Sequence, residues 1–408
     1  MNEARTAIAE AIEAMVGAGE LAGAATLIWR DGKVLQAGGF GWRDVDAKLP
    51  VERDTLFRIA SMTKPITSVA ALMLLERGRF ALDDPIALWA PEFSRMRVLR
   101  SRTGPLDATE PSQRLITFGD LLTHRSGLTY GDFWPGPLAE AYQALGGDID
   151  TELSPDEWIA RLAALPLIDQ PGATFHYGHS TDLLGLLISR IEDAPLEDVL
   201  QRRILGPLGM TDTGFTVPRE KAGRRAGLYG FDAAGRLTAR LTGPRGSTVP
   251  ERPESMTYVS GGQGLWSTLD DYLAFARMFL GAGAVDGVRL LRRETLALMT
   301  TNRLTQRQRA TAEIAGMPTF EAGHGFGMGV AVVLEPDKAG PMPCGGGVGA
   351  VGWPGAFGGW WRADPQDKSV LIFLAHNMVD PDQLASGVGL GVYGAIAQFQ
   401  AIAAAATR

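Results

Sequence analysis

The chain has 408 residues, 45% of them hydrophobic and 21% charged, with a net charge of −7. That is the composition of a globular protein with a sizeable core, and its acidic balance excludes a nucleic-acid binder, which needs a basic face. There is one cysteine, so no intramolecular disulfide can form and no oxidising compartment is required.

In chain order, Ile8, Ile12, Met15 and Val16 recur at helical spacing over residues 3–16, with Gly17 and Gly19 as the stop. No basic stretch precedes an apolar run, so no signal peptide is expected. Residues 22–29 and 33–38 predict two strands about the turn Arg30-Asp31-Gly32. A third short strand, Thr55–Ile59, leads to Ser61. A strong helix follows from Met62 to Arg77, with Pro65 tolerated in its first turn and Gly78 closing it.

From Asp83 to Gly209 the chain reads as helix and loop, with helices over 117–122, 155–165 and 181–191. Beyond Gly209 it turns rich in Gly and Pro. A helix over 269–280, capped by Ser267 or Thr268, leads into strands at 329–335, 359–363 and 369–375 and a last helix at 388–405. The apolar runs near 66–75 and 401–406 are too short to span a bilayer, so no membrane partner is expected and the cytoplasm is the default location.

The chemistry starts at Ser61-Met62-Thr63-Lys64. A strand ending before a helix presents Ser61 at the helix N-terminus, and Lys64, one turn on, shares its face. A serine hydroxyl is a weak nucleophile that needs a nearby base. The ammonium can keep a partner deprotonated, or serve as base when neutral. Taken alone, these four residues read more readily as a serine cap beside a solvated lysine, and the placement of Ser61 between strand and helix is what favours the chemistry. Tyr177, in Phe175-His176-Tyr177-Gly178-His179-Ser180, is a second proton carrier if a close ammonium lowers its phenol by about three units, roughly 4 kcal/mol. Taken alone, it reads as packing at a helix entry. In Gly352-Trp353-Pro354-Gly355-Ala356-Phe357-Gly358 a glycine-rich approach brings backbone near a ligand. The N–H of Ala356, beside that of Ser61, would form an oxyanion hole, since Pro354 cannot donate. Taken alone, it is a glycine-rich turn.

Competing motifs fall away. No serine satisfies Gly-x-Ser-x-Gly. The run from Gly347 to Gly352 fits Gly-x-Gly-x-x-Gly, but Trp353-Pro354-Gly355 follows it in place of a helix. His176 and His179 lack a third ligand, so neither metal nor cofactor is expected. His124 reads as a structural histidine. His179 either lines the site or faces solvent. Cys344 reads as an inert small residue.

Together Phe57-Arg58-Ile59-Ala60-Ser61-Met62-Thr63-Lys64, the run from Leu121 to Leu128, Tyr177-Gly178-His179-Ser180 and Trp353-Pro354-Gly355 resemble the serine β-lactamase and penicillin-binding protein superfamily. The nearer likeness is to its family VIII carboxylesterases, similar to class C β-lactamases. The resemblance implies an antiparallel sheet flanked by helices with an inserted helical domain: residues 1–81 and 210–408 as the α/β domain, 82–209 as the helical one, and the site at their junction. It implies Ser61 as the acylated nucleophile, Lys64 as its proton-network partner, and Tyr177 as base and then acid. The sequence has Tyr177-Gly178-His179 where class C has Tyr-x-Asn, and Trp353-Pro354-Gly355 where it has Lys-Thr-Gly. The lost lysine removes a cationic contact for a substrate carboxylate. Short-chain or small aromatic esters are the expected substrates, with Trp353, Gly355, His179, Phe133 and Trp134 around them. Acyl transfer, weak β-lactamase or amidase activity, and an acylation sensor without turnover are the alternatives.

Overall fold

The computed structural model describes residues 2–145, 151–240, 256–320 and 322–406. Part of the Gly- and Pro-rich stretch after Gly209 lies outside them. Helix α1 (Asn2–Gly17) precedes strands β1 (Gly23–Arg30), β2 (Lys33–Asp44) and β3 (Leu49–Pro50). Helix α2 (Thr63–Glu76) follows the nucleophile segment. The middle of the chain holds α3 (Phe118–Leu122), α4 (Pro155–Ala163) and α5 (Ser180–Glu192). Then come α6 (Leu269–Ala276), strands β4 (His324–Phe326), β5 (Ala331–Val333), β6 (Val351–Gly352), β7 (Trp360–Asp364) and β8 (Ser369–Ala375), and the terminal helix α7 (Leu390–Ala406).

One antiparallel sheet of eight strands runs in the order β4-β5-β6-β7-β8-β1-β2-β3. Both chain ends build it, and β1 pairs with β8 from Ala24↔Ala375 to Arg30↔Ser369. Strand side chains alternate between faces, and β8 shows the result. Leu371 and Phe373 pack with α1 and α7 through Ile8, Ile12, Ile396 and Phe399. Val370, Ile372 and Leu374 join the larger core with Ile66 and Val69 of α2 and Phe275 of α6. Every residue of β8 is buried, because helices cover both faces. That explains why 369–375 reads as a continuous apolar run and not an alternating one.

Three expected elements are shorter in the structure. The strand at 55–59 reduces to Phe57–Arg58, paired with Trp266–Ser267 outside the large sheet, because the chain must turn at Ala60. The strand at 329–335 begins at Ala331, since Gly329 adopts φ +82. The helix at 269–280 stops at Ala276 and tightens into a 3₁₀ turn over Arg277–Phe279. Its cap is Thr268, whose side chain accepts from the Asp271 N–H.

Phe399→Ala should cost about 3–5 kcal/mol, because Phe399 is 1% exposed between α7 and the sheet. A urea midpoint that falls at unchanged slope would show it.

Candidate active site

Ser61 sits in a 3₁₀ turn, Ala60–Met62, that runs directly into α2. The turn is bolted down by backbone and side chain. The Ile59 N–H donates to Leu265 O at 3.0 Å and the Met62 N–H to Ile59 O at 3.0 Å. The Tyr272 hydroxyl donates to Met62 O at 3.0 Å. Ala60 holds φ +43, a left-handed conformation that costs a residue with a Cβ about 1–2 kcal/mol. The surrounding bonds hold that strain where it aims Ser61.

Lys64 is fully buried. Its Nζ donates to Ser61 Oγ, to the Tyr130 hydroxyl and to Gly262 O, each at 3.1 Å. Three acceptors match the three N–H groups of an ammonium. The ammonium also lies 4.5 Å from the centre of the Tyr177 ring and 5.3 Å from that of Tyr130.

A buried ammonium needs a counter-charge, and Asp182 supplies it from the first turn of α5. Asp182 is fully buried. One carboxylate oxygen accepts from Ser260 Oγ and, at 2.9 Å, from the Gly262 N–H. The other meets His179 Nδ1 at 3.1 Å and the Tyr130 hydroxyl at 3.4 Å. Burial pushes its pKa up, but His179, Lys64 and Ser260 together hold it below the ordinary carboxylate range. Gly262 is close-packed here: a Cβ would lie 2.8 Å from Asp182 Oδ1.

Tyr177 stands beside this network. Gly178 lets its segment press on Thr129, where a Cβ would lie 2.3 Å from the backbone. The Tyr130 and Tyr177 rings are thereby set 5.6 Å apart, edge to face. The Trp353 Nε1–H donates to the Tyr177 hydroxyl at 2.9 Å. The expected lowering of the Tyr177 pKa does not occur. Burial raises it, and the bonds with Ser61 and Trp353 only partly oppose that. The Lys64 ammonium lies over the ring face and bonds to the Tyr130 oxygen instead. Tyr177 is therefore a neutral phenol at rest.

The third segment closes against the nucleophile turn. A Cβ on Gly355 would lie 2.5 Å from Ile59 O, so only glycine fits that approach. The Gly355 N–H is spent on Gly359 O at 2.7 Å. The N–H of Ala356 meets no acceptor among the described residues, and Ala356 is exposed.

The β-lactamase family model matches residues 8–388. The chain belongs to the β-lactamase family. Protein Rv1367c of Mycobacterium tuberculosis is 47% identical over 369 residues, covering 90% of this chain and 89% of that protein. Esterase EstB of Burkholderia gladioli is 33% identical over 358 residues, covering 84% and 83%. Among solved structures, EstCE1, described as a hydrolase with promiscuous acyltransferase activity, superposes with a TM-score of 0.76 at 25% identity, covering 96% of this chain and 99% of its own. This β-lactamase-family protein is thus a serine-hydrolase-type enzyme that hydrolyses or transfers acyl groups.

The remaining sequence-predicted residues separate in this family member. Phe133 lies parallel to the Tyr177 ring with centres 6.1 Å apart. Trp134 turns away, onto His176 at 5.5 Å and the Arg102 guanidinium at 5.1 Å. His179 is 1% exposed and bonded to Asp182, so it does not face solvent. Trp353 is 2% exposed, packed on Tyr177 and Phe326. His124 is buried, with Nε2 3.4 Å from Thr181 Oγ1, and burial keeps it neutral. Burial pushes the Cys344 thiol up to about 12, which fits an inert residue. Among the described residues no group of three or more His, Cys, Asp or Glu side chains is placed to hold a metal.

Sequence reasoning missed Tyr130 and Asp182. The signal for Asp182 was a carboxylate in the first turn of an otherwise apolar helix, three residues after His179.

Asp182→Asn should cost about 1–3 kcal/mol at pH 7. Because the folded pKa is depressed, the stability Asp182 contributes is present above the ordinary carboxylate pKa, about 4, and is lost as pH falls through the folded value. The gap between wild type and variant in urea melts should therefore shrink below about pH 4.

Proposed function

We propose that this protein is a carboxylesterase that cleaves short-chain or small aromatic esters through an acyl-Ser61 intermediate. The observation that carries the reading is the buried contact of Lys64 Nζ with Ser61 Oγ at 3.1 Å, beside a neutral Tyr177. The ammonium stabilises negative charge developing on Oγ. A phenol with a raised pKa is a poor resting base but a competent relay. As Oγ attacks the ester carbonyl carbon, Tyr177 gives its own proton to the ester's alkoxy oxygen while the Ser61 proton moves onto the Tyr177 oxygen, so the phenol stays neutral. The bond from the carbonyl carbon to that alkoxy oxygen then breaks and the alcohol leaves. The carbonyl oxygen, negative in the tetrahedral intermediate, would accept from the N–H groups of Ser61 and Ala356. Water then attacks the acyl-enzyme, and the proton path runs in reverse.

The likeness to EstB supports the ester as substrate. The description of EstCE1 favours a second reading, in which an alcohol replaces water on the acyl-enzyme. Efficient β-lactam hydrolysis is disfavoured, because Trp353 and Pro354 carry neither the cation nor the hydroxyl of Lys-Thr-Gly. We also propose that 1–81 with 210–408, and 82–209, are the two domains, since all eight strands of the sheet lie in the first. A cytoplasmic setting accords with a single thiol, and no helix among the described residues is long and apolar enough to cross a membrane.

With p-nitrophenyl butyrate, steady release of the phenol is expected. Ser61→Ala should reduce it to background and end labelling by an organophosphonate, and persistent labelling would remove Ser61 as nucleophile. A stoichiometric burst without turnover would replace the enzyme by an acylation sensor.

Tyr177→Phe should lower kcat about 100-fold or more. If Tyr130→Phe does so while Tyr177→Phe stays near wild type, the relay belongs to Tyr130, the phenol that Lys64 touches.

A further inference from the structure

Two adjacent residues, Phe133 and Trp134, lie along two others, Tyr177 and His176, ring against ring. Phe133 runs within 16° of parallel to the Tyr177 ring, with centres 6.1 Å apart, and meets Tyr130 edge to face at 5.6 Å. Trp134 meets the His176 ring edge-on at 5.5 Å. Phe133 therefore flanks both phenols that neighbour Lys64. Four rings pack on Tyr177: those of His124, Tyr130, Phe133 and Trp353. His124, Tyr130 and Trp353 are buried, and Phe133 is only partly so. Of the four, Phe133 is the one with surface left to offer a substrate.

The alcohol part of an ester has to lie on that side. Tyr177 gives its proton to the alkoxy oxygen, so the alcohol approaches the Tyr177 hydroxyl, whereas the acyl part stays on Ser61. A flat ring beside that hydroxyl favours a flat apolar partner.

The position of Phe133 is set from the side away from the nucleophile. Phe133 ends a short 3₁₀ turn, Gly131–Phe133, and Trp134 continues in extended conformation. The Arg102 guanidinium lies 5.1 Å from the centre of the Trp134 ring. Arg102 donates to Asp169 Oδ2 at 2.7 Å. The same oxygen meets His176 Nε2 at 2.9 Å and accepts from Thr174 Oγ1 at 2.7 Å. One carboxylate oxygen thus fixes both neighbours of Trp134, the cation and the imidazole. Trp134, expected to contact substrate, instead clamps the residue that does.

We propose that Phe133 is the wall against which the alcohol part of the ester lies, favouring flat apolar alcohols, and that Arg102 is a positioning residue that sets this wall through Trp134. The proposal rests on the ester-cleaving reading of Ser61 and Tyr177.

Three esters test it by varying one side at a time. Benzyl acetate and ethyl acetate differ in the alcohol, and ethyl butyrate and ethyl acetate differ in the acyl group. In wild type, benzyl acetate should exceed ethyl acetate in kcat/KM by about tenfold or more. Trp134→Ala should lower that ratio about three- to tenfold, while the butyrate-to-acetate ratio stays within about twofold of wild type. Arg102→Gln should lower the benzyl preference about threefold, and Arg102→Lys, which keeps a cation over Trp134, should lose less. The Arg102 side chain is 40% exposed, so its variants decide the matter even where the fold does not tolerate Trp134→Ala. Equal rates on the two acetates would overturn the proposal. So would a benzyl preference that survives Arg102→Gln, or an equal fall in the butyrate-to-acetate ratio. If wild type turns over none of the three esters, the hydrolase reading fails by itself. The wall is then decided by ligand-observed NMR with benzyl alcohol on the wild-type protein. Binding that weakens on Arg102→Gln supports it, and no binding, or binding indifferent to Arg102, rejects it.

Discussion

A lysine ammonium with no exposed surface is the constraint from which the rest of the site follows. Burying it alone would cost several kcal/mol, so the fold must bring it acceptors and a counter-ion. It does both through shared groups. Gly262 accepts from Lys64 with its carbonyl oxygen and donates its N–H to Asp182, through the two successive peptide groups that flank it. Tyr130 likewise accepts from Lys64 and donates to Asp182. The two charges are linked through dipoles and not by direct contact. That arrangement leaves the third N–H of the ammonium for Ser61.

The same economy governs the Trp353 segment. A tryptophan in place of a lysine cannot hold a carboxylate, but its indole N–H fixes the Tyr177 hydroxyl. The aromatic wall around Tyr177 excludes water and keeps the phenol neutral. The Trp353 indole and the Tyr177 phenol are thereby held as one unit. Strain at Ala60 and the close approach of Gly355 to Ile59 complete the picture: backbone geometry aims the groups that side-chain chemistry activates.

Much of this was legible in the sequence. The helix behind Ser61 follows from periodicity, and the family and the sheet flanked by helices from the resemblance that the ordered motifs carry. Strand 369–375 was read to the residue, because a buried run bounded by turns leaves little choice. Tyr130 and Asp182 were not found, since Lys64, which Tyr130 touches and Asp182 balances in charge, lies 66 and 118 positions away, a separation at which periodicity says nothing. The direction of the Tyr177 shift was misjudged for a related reason. The ammonium does lie close, but whether it meets the oxygen or the ring face depends on packing that a motif does not encode.

The pairing of β1 with β8 has a consequence for how the chain is made. Ala24 finds its partner only at Ala375. While ribosomes add the intervening residues, the edge of β1 that pairs with β8 stays open. Such an edge is a template for mispairing with other chains. The nascent chain carries that open edge through most of its synthesis.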